Sequence, residues 1–133
     1  MPVERMEHFL VIAEDIEETK NFYCDILGLT PGFRPDLDFP GYWLYLGDVP
    51  CLHIAEWKTY AVFTKRVDIP MSTKSVGTGP LDHIAFNATG FDDIARKLNK
   101  RKIPYKDNRL DDIGLAQIFI QDPNGVTLEL NFR

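Results

Sequence analysis

The chain has 133 residues, 44% of them hydrophobic and 26% charged, with a formal net charge of −5 and no low-complexity segment, which is the profile of an ordinary folded domain. A chain of this length buries roughly two-thirds of the surface its unfolded form exposes, so its core needs no covalent staples. The interspersed, net acidic charges argue against nucleic acid as a partner, while the lack of a secretory leader in MPVERMEHF and of any apolar run near the roughly 20 residues of a membrane span predicts a cytoplasmic protein with no membrane partner.

In chain order, Val3 to Ala13 predicts a strand whose FLVIA run suits an element covered by a helix. EDIEETKNFYCDILGL predicts a helix. Asp15 can cap it, Glu17 and Glu18 occupy the first turn, Ile16, Thr19, Phe22, Tyr23, Ile26 and Leu27 recur at helical spacing, and Gly28 stands at C′. Thr30 to Arg34, Tyr42 to Leu46 and Cys51 to Trp57 then read as strands, separated by PDLDFPG and GDVP. Cys24 and Cys51 show neither CxxC nor CxxH spacing and read as small buried thiols in a reducing compartment.

WKTYAVFTKRVDIPMSTKSVGTGP is longer than an ordinary connection and reads as a linker that can serve as a lid. After it the order of elements repeats. Leu81 to Ala88 is a strand, Phe91, Ile94, Ala95 and Leu98 share one helix face, and Ile103 to Arg109, Leu115 to Gln121 and Val126 to Phe132 are strands, the last two joined by the turn DPNG. The expectation is therefore an α+β fold of two βαβββ modules, residues 1–57 and 80–133, with a linker or lid at 58–79. Together they would make one domain whose curved mixed sheets pack around a shared cavity.

The polar residues respect this repeat. Side chains two apart on a strand share a face, which groups His8 with Leu10 and Ile12, His53 with Ala55 and Trp57, His83 with Ala85 and Asn87, and Glu129 with Thr127 and Asn131. His8 and His83 open the two modules at an offset of 75 residues (83 − 8), and His53 and Glu129 lie in the fourth strands at an offset of 76 (129 − 53). Matched offset and matched parity bring three imidazoles and a carboxylate to equivalent positions, a costly gathering unless something satisfies them, and a divalent transition metal would. Glu7 and Asp82, each one residue before a histidine, are expected on the opposite face.

Two such modules, with EHFLVIAEDIEETKNFYCDILGL opening the first, LDHIAFNATGFDDIARKL opening the second and QDPNGVTLELNF closing the chain, resemble the vicinal oxygen chelate superfamily. That superfamily holds glyoxalase I, methylmalonyl-CoA epimerase, fosfomycin-resistance enzymes, extradiol dioxygenases and the bleomycin-resistance proteins. The resemblance implies metal ligands from the first and fourth strands of each module, here His8, His53, His83 and Glu129, with one divalent ion (Fe, Mn, Ni, Co or Zn). His8, His83 and Glu129 match the three-ligand set of the dioxygenases and fosfomycin-resistance enzymes. His53 stands where glyoxalase I carries glutamate and the epimerase glutamine, so three-ligand and four-ligand sites both remain open.

The resemblance further implies a small-molecule substrate chelated through neighbouring oxygens, Glu129 as a catalytic base, and a homodimer. The reaction is that of a lyase or isomerase, or of a ring-cleaving dioxygenase. The alternative is a metal-free, bleomycin-resistance-type binding protein. Residues sharing the inward faces, Asn87, Asn131, Thr127 and Trp57, with Tyr42 or Tyr45 and Gln117 or Phe119, are the candidate substrate contacts.

Overall fold

A computed structural model describes residues 2–133; Met1, where the module expected at 1–57 begins, lies outside the described residues. The chain divides into two units, the first ending at Thr73 and the second running from Lys74 to Arg133.

In the first unit, β1 (Phe9–Ala13) leads into α1 (Ile16–Leu27), followed by β2 (Thr30–Pro31), β3 (Gly41–Leu46), β4 (Val49–Glu56) and α2 (Trp57–Val67). The four strands form one mixed sheet in the order β1-β4-β3-β2, in which β1 runs parallel to β4 and the other pairs are antiparallel. The local reasons for α1 are those legible in its sequence. Asp15 accepts hydrogen bonds from the backbone of Glu17 and Glu18, each at 3.0 Å, and Gly28 closes the helix at φ 80°, a left-handed conformation in which only glycine is unstrained. Thr19, Phe22, Tyr23 and Ile26 are buried on α1, and Val11, Ala13, Leu44, Leu52 and Ile54 are buried on the sheet.

The second unit repeats the plan. β5 (Ile84–Ala88), α3 (Phe91–Lys100), β6 (Lys106–Leu110), β7 (Leu115–Gln121) and β8 (Thr127–Phe132) give a sheet ordered β5-β8-β7-β6, again with one parallel pair, β5 with β8. Ile94 and Leu98 of α3 are buried, as are Ile118, Ile120, Leu128 and Leu130, and Phe91 meets Phe132 edge to face at 5.2 Å. The DPNG turn forms as its sequence demands: Asp122 Oδ1 accepts from the backbone of Asn124 at 2.7 Å and of Val126 at 2.9 Å, and Gly125 takes φ 86°.

The structure differs from expectation in the stretch after β4. The residues anticipated as linker carry α2, an eleven-residue helix that packs on β1 and β4 of the first unit. Buried Thr64 donates to the Ala61 carbonyl at 3.1 Å, and Asp68 ends the helix in the left-handed conformation. Pro70 and the glycines of KSVGTGP dominate a composition-based reading of the whole stretch, yet all of them lie beyond the helix. Trp57 is accordingly the first residue of a helix, where strand parity with His53 no longer holds.

Candidate functional site

Parallel pairing of first and fourth strands is what brings the predicted residues together within each unit. In the first unit Leu10 pairs with His53, and in the second Ala85 pairs with Glu129; His8 and His83 stand two residues before those partners, so the two registers are equivalent. The offset read from the sequence thus corresponds to a repeated strand register.

In the first unit the His8 and His53 rings stack at 3.8 Å between centroids, with planes 13° apart. On its other face His53 stacks on Trp43 at 4.1 Å and 6°. His53 Nε2 donates to the Pro50 carbonyl at 3.1 Å, which leaves Nδ1 as its free lone pair. Burial, followed by the neighbouring His8, lowers the His53 pKa to about 4, so the ring is neutral. Trp43 is a residue that sequence reasoning missed. Tyr42 and Tyr45 were the candidates on that strand, but the register sets Trp43 opposite His53, while Tyr42 donates to Glu17 on α1 and Tyr45 donates to the Phe33 carbonyl.

In the second unit His83 Nε2 lies 3.4 Å from Glu129 Oε1. Glu129 Oε2 accepts from Asn131 Nδ2 at 2.8 Å; Asn131 Oδ1 accepts from Gln117 Nε2 at 3.0 Å, and Gln117 Oε1 accepts from Asn108 Nδ2 at 2.9 Å. Three amides are therefore aligned head to tail, every donor directed toward the carboxylate. The register explains the alignment, since Asn108, Gln117 and Asn131 are cross-strand partners in one row of the sheet, next to the row of Ala85, Glu129 and Phe119. Asn131 and Gln117, expected as substrate contacts, are thus bonded to each other, and Asn87 accepts from Arg133 at 2.9 Å.

Glu7 and Asp82 correct the sequence reading. His8 Nδ1 donates to Glu7 Oε1 at 2.8 Å, and His83 Nδ1 donates to Asp82 Oδ2 at 2.7 Å. Opposite faces were expected because strand alternation was carried back too far. β1 begins at Phe9 and β5 at Ile84, so each acid–histidine pair sits in irregular backbone where neighbouring side chains can meet. The Asp82 bond is the largest cause of a raised His83 pKa, ahead of the opposing desolvation and of Glu129.

These donor sets suit a divalent metal. A carboxylate on Nδ1 fixes the tautomer and orientation of each histidine and turns Nε2 outward as the coordinating atom. His83 Nε2 and Glu129 Oε1 have the spacing of two donors sharing one ion at roughly 2 Å each. His8 and His53, with parallel planes, do not aim their lone pairs at one point. Among the described residues no group of three or more His, Cys, Asp or Glu side chains is gathered closely enough to hold a metal ion.

Comparison with known proteins gives a consistent family. The family model described as Glyoxalase/Bleomycin resistance protein/Dioxygenase superfamily matches residues 5–130. "Glyoxylase I 4" of Arabidopsis thaliana is 28% identical over 129 residues, covering 94% of this chain and 68% of that protein. "Uncharacterized protein YaeR" of Escherichia coli K12 is 27% identical, covering 96% of this chain and 95% of the other. Among solved structures, lactoylglutathione lyase from Agrobacterium tumefaciens superposes with a TM-score of 0.71 at 18% identity, covering 98% of this chain and 95% of its own. The fosfomycin resistance protein FosX from Listeria monocytogenes gives 0.72 at 14%, covering 98% and 94%. At such identities the two structures bear on the fold alone.

Proposed function

The chain belongs to the Glyoxalase/Bleomycin resistance protein/Dioxygenase superfamily, and from that premise we propose that it is a divalent-metal-dependent enzyme in which His8, His83 and Glu129 hold one transition-metal ion (Fe, Mn, Ni, Co or Zn) that chelates two neighbouring oxygens of a small-molecule substrate. One observation carries this reading: His83, oriented through Nδ1 by Asp82, presents Nε2 3.4 Å from Glu129 Oε1, and the same acid–histidine bond recurs at Glu7 and His8. His53 is the fourth candidate, able to join through Nδ1, or through Nε2 once the Pro50 bond is released.

When bound, the cation supplies Lewis-acid stabilisation of negative charge developing on the chelated oxygens. Glu129 is the proposed base. With Oε2 engaged by Asn131, Oε1 would be the oxygen that accepts a substrate proton, once released from its role as a ligand. Among the proposed substrate contacts, Asn87 is the one proposed to touch substrate directly, Asn131 and Gln117 act by holding Glu129, and Trp57 loses its strand-parity support as the first residue of α2. Where His53 joins the metal as fourth ligand, no histidine is left as the acid–base group of ring cleavage, which favours a lyase or isomerase reaction over the dioxygenase one. We further propose a cytoplasmic homodimer, in keeping with Cys24 and Cys51 both being free thiols.

Elemental analysis of protein purified without chelator tests the metal. Stoichiometric metal is expected; its absence, with a melting temperature unmoved by EDTA, would establish the binding-protein alternative. Loading with Ni(II), Co(II) or Mn(II) and assaying hemithioacetals and 2-methyl-3-oxoacyl thioesters should then give turnover, whereas oxygen uptake by Fe(II) protein with catechols would overturn the lyase or isomerase branch.

A further inference from the structure

The first unit contains a pocket of about 160 Å³ whose lining joins His8 and His53 to residues the metal-binding reading does not use. Its walls are aromatic: Phe39, from the segment between β2 and β3, meets Tyr60 at 5.1 Å and Phe63 at 4.7 Å, both from α2, and Trp43 faces the pocket from β3. Arg34, His8 and His53 also line it and bring its polar groups. A cavity of this size matches one that admits a single benzene-sized group.

Arg34 is the informative residue. It is half-buried, stacks on the Phe39 ring at 4.9 Å and donates Nη2–H to the Phe39 carbonyl at 2.8 Å. No carboxylate pairs with it among the described residues: Asp36 acts on it only through space, whereas the neighbouring guanidinium of Arg66 is paired with Asp38 at 3.2 Å. The backbone leaves room for it, because a Cβ on Gly41 would come within 3.1 Å of Arg34 Nη2 and would also collide with the Ile54 carbonyl. A guanidinium held among aromatic rings with most of its five donors unused is a counter-charge in want of an anion.

We propose that this pocket takes the ring-bearing end of an aromatic carboxylate, with the ring between Phe39, Trp43, Tyr60 and Phe63 and the carboxylate on Arg34. The assignment deepens the metal-enzyme reading by naming a substrate class, and rests on it only for turnover, because His8 stands on the pocket wall. Recognition of the ring and its charge belongs to the first unit's own residues. It is therefore measurable without metal.

The test titrates EDTA-treated protein with benzoate, benzamide and acetate, following backbone amide shifts and tryptophan fluorescence. Benzoate is expected to bind with shifts at Phe39, Trp43, Tyr60 and Phe63, about tenfold or more tighter than benzamide, the usual worth of a charge-assisted pair, and tighter than acetate, which lacks the ring. Arg34→Gln should bring benzoate down to the benzamide level, and a wild-type-like backbone amide spectrum away from the pocket shows that the variant is folded. Equal benzoate affinity in wild type and Arg34→Gln, or no benzoate binding by wild type, overturns the proposal. Because metal is absent throughout, a failed metal reading leaves these outcomes intact, and stoichiometric metal without benzoate binding sinks this inference alone.

Discussion

Asp82 and Glu7 owe their importance to one bond each, from the Nδ1 of the following histidine. Replacing Asp82 by Asn keeps the shape but weakens the acceptor, so metal affinity should fall by about 10–100-fold, measured by competition with a chromophoric chelator. In metal-free protein the same substitution removes the main cause of the raised His83 pKa, which should fall toward its ordinary value in an NMR titration. His53 behaves oppositely. Its pKa of about 4 lies below the unfolded value of 6.5, so between those values the unfolded state binds the extra proton. The stability contributed by neutral His53 is thus present above pH 6.5 and lost as pH falls toward 4. Urea midpoints of metal-free protein should decline across that window, and His53→Phe should flatten the decline while keeping a flat ring against Trp43.

At the scale of the element, the amide row on β6, β7 and β8 is the clearest device of the second unit. Gln117 is buried and bonded on both sides, so Gln117→Leu leaves Asn108 and Asn131 each short of a partner, a cost of about 1–3 kcal/mol in urea unfolding. Asp122→Ala strips two backbone N–H groups of their acceptor in the β7–β8 turn and should cost about 1 kcal/mol by the same measurement. Elements whose reasons are local were legible in the sequence. The Asp15 cap and Gly28 stop set α1, and DPNG sets the last hairpin, because each is a short-range steric or hydrogen-bond demand. What lay beyond reach depended on pairing. Parity separates Tyr42 from Trp43 only once the register against His53 is known, and the amide row exists only because residues distant in sequence fall into one line. The helix at Trp57–Val67 was hidden by the Pro- and Gly-rich residues that follow it. With it were hidden Tyr60 and Phe63 and the pocket they line.

For the molecule as a whole, the repeat is the organising fact. Two sheets with the same strand order, the same single parallel pair and the same register place His8 beside His53 and His83 beside Glu129. The histidine positions were readable from the sequence because a spacing repeated between halves is a one-dimensional signal. The acid–histidine bonds were not, because they depend on where each strand begins. The proposal that His8, His83 and Glu129 serve one metal ion is the central claim. Co(II) titration of chelator-treated wild type, His8→Ala and His83→Ala, followed by visible absorption, tests it most directly. Stoichiometric Co(II) uptake by wild type and loss of tight binding in both variants is the expected result; full Co(II) uptake by His8→Ala, or none by wild type, would contradict it.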